Sequence, residues 1–177
     1  AVLVLGFGIQ TWFGGAVSDA VNSSREVAQA YLGEHRARLN FQASRVAEDI
    51  ERLNENASDL AQVQQIIYRS AGIRRLSGAS VIRRDGTILT SAQGVSELEV
   101  LTIPEDAFDL ANELLPQGAR LDNRGVEISL PDDDVLSMLI AIENVFLTDT
   151  YLVASVDVDD AVVERVELSN EAADSYT

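Results

Sequence analysis

The stretch Ala79-Ser80-Val81-Ile82-Arg83-Arg84-Asp85-Gly86-Thr87-Ile88-Leu89-Thr90-Ser91 decides the fold of this chain. Two runs rich in β-branched residues flank an Asp-Gly pair. That pair is a strong short-range hairpin signal, because both residues tolerate positive φ. Apolar residues repeat here with a period of two, whereas upstream they repeat at helical spacing. The change of period places the boundary between a helical N-terminal part and a sheet.

Working back from the hairpin, Val21, Ala28, Tyr31, Leu39, Ala43, Val46, Ile50, Leu53 and Ala57 trace a narrow apolar stripe from Val17 onward, as expected of one long helix. Ser23-Ser24-Arg25-Glu26 offers a capping box, and Ser18 an earlier start. Asn54-Glu55-Asn56-Ala57-Ser58 competes for backbone hydrogen bonds and ends this helix. Ser58 or Asp59 then caps a short second helix through Ser70. Working forward, Pro104 suits the first turn of a third helix that runs to Pro116. Gly125–Leu130, Val135–Ile142 and Thr150–Asp157 read as consecutive antiparallel strands, joined by turns at Pro131–Asp134 and Glu143–Asp149. Val135–Ile142 is almost wholly apolar, so both of its faces must be covered. The long helix can take one face, and the short helix with the 92–103 segment the other. Asp159 or Asp160 caps a last helix carrying Val162, Val166, Ala173 and Tyr176. The expected fold is α+β: a long N-terminal helix and a five-stranded antiparallel sheet with flanking helices, in a PAS-like layout.

Composition narrows the function. The 177 residues suit one domain, and 46% hydrophobic with 24% charged residues describes a folded protein. A net charge of −16 repels phosphate backbones, which argues against nucleic acid as a partner. All thirteen basic residues are arginine, read here as a coding bias. Without cysteine there is no disulfide, thiol nucleophile or zinc–thiolate site. The single histidine, His35, has no nucleophile motif beside it and cannot build a histidine-rich metal site. Asp157, Asp159, Asp160 and Glu164 lack the glycine and terminal glutamate of an EF-hand loop, and Asp132-Asp133-Asp134 reads as a solvated turn. No catalytic residue, metal site or cofactor is expected.

Residues Ala1–Phe13 are apolar apart from Gln10 and Thr11, yet as a helix they reach only about 20 Å, short of the ~30 Å hydrocarbon core. Residues 1–15 are read as the outer end of a transmembrane helix, closed by the interfacial aromatics Trp12 and Phe13. Gly14-Gly15 marks a joint before a domain at 16–158, and 159–177 forms an exit helix toward a second membrane segment.

The ligand-binding candidates are Arg83, Arg84, Tyr151, Ser155 and Asp157. Arg83 and Arg84 are adjacent in a strand, so one of them points toward the covered side and needs an anion there. Tyr151, Val153, Ser155 and Asp157 alternate onto one face of the last strand. The competing explanation for the arginines is a rim salt bridge to one of the many acids.

Val21-Asn22-Ser23-Ser24-Arg25-Glu26-Val27-Ala28-Gln29-Ala30-Tyr31-Leu32 after an apolar segment, the Arg-Asp-Gly hairpin, and Tyr151-Leu152-Val153-Ala154-Ser155-Val156-Asp157 before the exit helix resemble the periplasmic domain of NtrY-type sensor histidine kinases. The broader likeness is to single-Cache extracytoplasmic sensors. It implies a signal-sensing domain in the periplasm, anchored in the inner membrane by flanking helices and followed by HAMP, PAS and kinase regions. The expected partners are a small anionic or amino-acid-like ligand and a second copy bound through the long helix. Rival readings are a sensor on a chemotaxis receptor or cyclase, a ligandless dimerisation spacer, and an extracytoplasmic hydrolase.

Overall fold

The computed structural model describes residues 2–53, 60–92, 97–115, 124–131, 135–144 and 147–159. The chain forms two compact units, Ala1–Glu34 with Asp159–Thr177, and His35–Val158. In the first unit the backbone is helical from Val2, as the N-terminal part of α1 (Val2–Glu51). Gly14 and Gly15, expected to form a joint, lie within this helix instead. Glycine costs a helix about 1 kcal/mol per residue relative to alanine, which weakens a helix without breaking it. The expected exit helix falls, beyond Asp159, outside the described residues. Among the described residues no helix is long and apolar enough to cross a membrane.

The second unit is α+β. After α1 come α2 (Leu60–Arg74), β1 (Gly78–Arg83), β2 (Ile88–Ala92), α3 (Glu97–Val100), α4 (Glu105–Leu114), β3 (Val126–Ile128), β4 (Val135–Asn144) and β5 (Leu147–Asp157). The strands form one sheet in the order β2-β1-β5-β4-β3, antiparallel throughout. The apolar run predicted as a central strand is β4, and Leu136–Ile142 are all buried. Between β1 and β2, the Gly86 N–H donates to the Arg83 carbonyl at 3.0 Å and the Arg83 N–H to the Thr87 carbonyl at 2.8 Å. Only Gly86 takes a positive φ, +91°. The loop therefore has three residues with glycine in the left-handed position, in place of the two-residue loop that the Asp-Gly pair suggested. Asp85 contributes differently: its Oδ1 accepts from the Thr87 N–H at 2.9 Å, and its hydrogen bonds to Thr87 hold the carboxyl below its ordinary pKa.

Alternation sorts the strand residues onto two faces. On one face Ile82, Leu139, Ala141, Tyr151 and Val153 join Ile128 and Leu130 in a core with Val100, Ile103, Ala107, Phe108 and Ala111 from α3, α4 and the segment between them. The opposite face carries Val81, Ile140 and Leu152, all fully buried, under Leu39, Ala43, Val46 and Ile50 of α1 and Val63 and Ile67 of α2. The sequence reading placed α2 across the sheet from α1. Instead α2 lies on β1 and β2 beside α1, tied to it by Arg74 and Asp49 at 3.4 Å, and α3 with α4 cover the far face.

A seam of polar contacts fastens α1 to the β3–β4 edge. Arg36 pairs with Glu127 at 2.9 Å, and the Asn40 Oδ1 accepts from the Gly125 N–H at 2.9 Å. Glu51 takes both terminal nitrogens of Arg124, at 2.5 and 3.0 Å, and accepts from the Glu143 N–H at 3.0 Å. Gly125 is required by closeness here: a Cβ would stand 2.9 Å from Asn40 Oδ1 and 3.4 Å from Met138 Sδ. Gly125→Ala is expected to destabilise the domain by about 1–3 kcal/mol through this clash and the strained Asn40 bond, read as a lower urea midpoint with an unchanged slope.

Candidate functional site

The candidate site is a cleft of about 450 Å³ where the C-terminal end of α4 meets the β4–β5 hairpin. Its wall is built by an irregularity in the ladder. Ile142 pairs with Thr150, and Asn144 with Leu147, so Glu143 faces the two residues Thr148 and Asp149. This is a β-bulge, a device that re-aims side chains and is frequent beside functional sites. Asp149 absorbs the extra residue at φ +54°, a left-handed conformation that aspartate tolerates better than most residues.

The bulge puts the Asp149 carboxylate onto the hydroxyl of Tyr151, which donates to Oδ1 at 3.0 Å. The same hydroxyl accepts from the Asn112 side-chain amide of α4 at 2.9 Å. The rest of Tyr151 is core, 1% exposed, with its ring edge-on to Phe108 at 4.8 Å and 74°. One tyrosine thus ties the buried core to the cleft. Burial is the main force raising the pKa of its hydroxyl; the Asp149 hydrogen bond adds to it and the Asn112 bond opposes it. The folded state therefore holds this proton more tightly than the unfolded chain, whose tyrosines titrate near about 10. The stability it contributes is complete below the unfolded value and is lost as pH rises through the folded one. Tyr151→Phe is expected to lower stability at neutral pH and to flatten the loss of stability above pH ~10, measured by urea unfolding across an alkaline series.

Around this network the cleft is lined by Asn112, Leu115, Ile142, Glu143, Leu147, Thr148, Asp149 and Thr150. Two of these are carboxylates and none is basic. A second cleft, of about 350 Å³, lies between α1 and α2 against Asp49, Ile66, Arg69, Ser70, Ile73 and Arg74, where Asp49 and Arg74 already pair with each other.

The residues picked from the sequence fall into two groups. Arg83 is exposed at the end of β1. Arg84, in the turn, lies across α4: its Nε meets Glu105 at 2.7 Å, a terminal nitrogen meets Asp109 at 2.8 Å, and its guanidinium sits 5.8 Å from the Phe108 ring centre. Those hydrogen bonds, to Glu105 and then Asp109, push its pKa still higher. The rim salt bridge is therefore what Arg84 makes. Tyr151 belongs to the cleft network, close to this group. Ser155 is buried about 13 Å further along β5, its hydroxyl 2.9 Å from that of Ser137, and Asp157 is exposed at the strand's end. Asn112, Glu143, Leu147 and Asp149 escaped the sequence reading. Glu143–Asp149 looked like turn chemistry, and only the spacing of Asp149 two residues before Tyr151 hinted that they meet.

No family model matches the chain. Over 97% of its length it is 28% identical to an NtrY-like sensor histidine kinase of Rickettsia bellii. Over 99% it is 28% identical to the nitrogen regulation protein NtrY of Azorhizobium caulinodans. The likeness is to sensor histidine kinases. The chain spans only 27% and 22% of the length of these two relatives. Among solved structures it is similar to Myxococcus xanthus MglB, with a TM-score of 0.39 and 11% identity, over 67% of this chain and 87% of that one. A Roadblock/LC7 domain from Streptomyces avermitilis aligns at a TM-score of 0.29 and 13% identity, over 57% of this chain and 84% of that one.

Proposed function

We propose that this chain is the signal-sensing domain of a membrane-bound, NtrY-type sensor histidine kinase of a two-component system, lying on the periplasmic side of the inner membrane. The observation that carries the reading is similarity along nearly the whole chain to about a quarter of each relative. A module of that size, with a sheet clasped between helices, suits an input domain of single-Cache or PAS-like type. In this reading the segments flanking the domain provide the membrane connection, and α1 offers a surface for a second copy. Nitrogen regulation enters through the name of the Azorhizobium relative.

The physical basis for signalling is the way helices are held to the sheet. α4 rests on Phe108, Arg84 and Asn112, and α1 on its seam at Arg36, Asn40 and Glu51. A ligand or membrane cue that prefers one packing over another displaces these helices, to the extent of its differential affinity for the two. The kinase phosphorylation chemistry belongs to the rest of the parent protein.

Placement across the membrane is tested in that parent protein by fusing alkaline phosphatase, and separately green fluorescent protein, after Val158. An active phosphatase and a dark fluorescent fusion are expected. The reverse pattern would place the domain in the cytoplasm and overturn the periplasmic reading.

A further inference from the structure

The charge around the α4–hairpin cleft is one-sided. Glu143 and Asp149 both border it, and among the described residues neither has a cationic partner. The arginines that approach from each side are already engaged, Arg124 by Glu51 and Arg84 by Glu105 and Asp109. The rest of the wall combines apolar Leu115, Ile142 and Leu147 with the uncharged polar residues Asn112, Thr148 and Thr150. A volume of about 450 Å³ falls within the ordinary range of small-molecule sites, which combine an apolar lining with a few convergent polar groups. An anion entering here would meet two carboxylates in a chain of net charge −16.

We propose that this cleft binds a small organic molecule bearing a protonated primary amine. The ammonium sits against the Asp149 carboxylate, with Glu143 as the second negative charge, and the carbon body lies on Leu115, Ile142 and Leu147. Asp149 is suited to anchoring because the Tyr151 hydroxyl and the bulge fix its position, so little ordering remains to be done on binding. The chosen chemistry reverses the sign expected from the adjacent arginines: the cleft selects a cation. Binding would act directly on α4, since Asn112 and Leu115 form one wall and Asn112 also holds Tyr151.

The proposal rests on the sensing reading for its meaning but is tested apart from it. Butylamine and putrescine are titrated into the 177-residue chain by calorimetry and by amide chemical shift, beside butyrate and butanol as probes of the same carbon length. Saturable binding of the amines is expected, with shifts centred on Leu147–Thr150, and none of butyrate or butanol. Asp149→Asn keeps an acceptor for Tyr151 and tolerates the left-handed backbone; it should weaken amine binding about tenfold or more, the loss of one charge-assisted contact. Glu143→Gln should weaken it less. Glu113→Gln, at an exposed residue of α4 outside the cleft lining, should leave it unchanged. No amine binding, binding of butyrate instead, or amine binding equally strong in Asp149→Asn and Glu143→Gln would each overturn the proposal; the last is the signature of diffuse attraction to an acidic protein. The phosphatase and fluorescent fusions report on the sensing reading whatever the titrations give.

Discussion

Replacing Phe108 with alanine is expected to cost the domain about 3–5 kcal/mol, the usual penalty for deleting a buried aromatic side chain. Phe108 is 3% exposed and stands at the junction of three interactions: the apolar core between sheet and α4, the edge-on contact with Tyr151, and the guanidinium of Arg84. Arg84 would lose the surface that holds it between Glu105 and Asp109, and Tyr151 the wall that sets its ring angle. The loss should appear as a large fall in the urea midpoint. Leu110 on the same helix is 47% exposed, and Leu110→Ala should change stability by no more than about 0.5 kcal/mol. Similar effects from both substitutions would mean that α4 is not docked through Phe108.

The second large effect is expected at Glu51. Its carboxylate serves Arg124 with both oxygens and also the backbone N–H of Glu143, and Glu51 and Arg124 retain only 19% and 14% of their side-chain exposure. Removing one member of so enclosed a pair leaves a charge stranded, and here a backbone donor as well. Glu51→Ala is therefore expected to cost about 2–4 kcal/mol. The Arg124→Ala change should be nearly as costly, because the Ala141 carbonyl also accepts from that arginine at 3.2 Å. Since the two share one network, the double variant should lose less than the sum, with a coupling of about 1–3 kcal/mol in a double-mutant cycle. Simple additivity would make the seam a set of independent surface contacts.

The fold was more readable in the sequence than the site, for a physical reason. Helices and strands announce themselves by period, and Asp85-Gly86 announces a reversal, so the five antiparallel strands and the long helix followed from the order of residues. Period does not say which side of a sheet a helix will choose, and α2 accordingly lies beside α1 instead of opposite it. The four residues of α3 are too few to show a period at all. At the site, Tyr151 stood out by its type, but Asp149 and Glu143 are polar residues near a hairpin tip, where solvation is the ordinary explanation. Their role depends on an extra residue in one strand, and an extra residue has no side-chain signature. Arg84 showed the converse: its need for an anion was evident, and neighbouring acids on α4 met it.

That extra residue also governs the length of the hairpin. Side chains in a strand change sides with every residue, and the bulge absorbs a difference of one residue between the tip of the hairpin and its body. With Thr148 deleted and the ladder closed regularly, Glu143 would pair with Asp149 while Ile142 kept Thr150 and Ala141 kept Tyr151, so β5 would keep its faces and only the left-handed Asp149 and its aim at the Tyr151 hydroxyl would be lost. The bulge therefore confines a one-residue change of length to the hairpin tip, because the pairs from Ile142–Thr150 to Val135–Asp157 do not depend on it. In homologous chains the hairpin should accordingly tolerate one-residue changes of length between Ile142 and Thr150, with the bulge gained or lost and the faces of β5 unchanged.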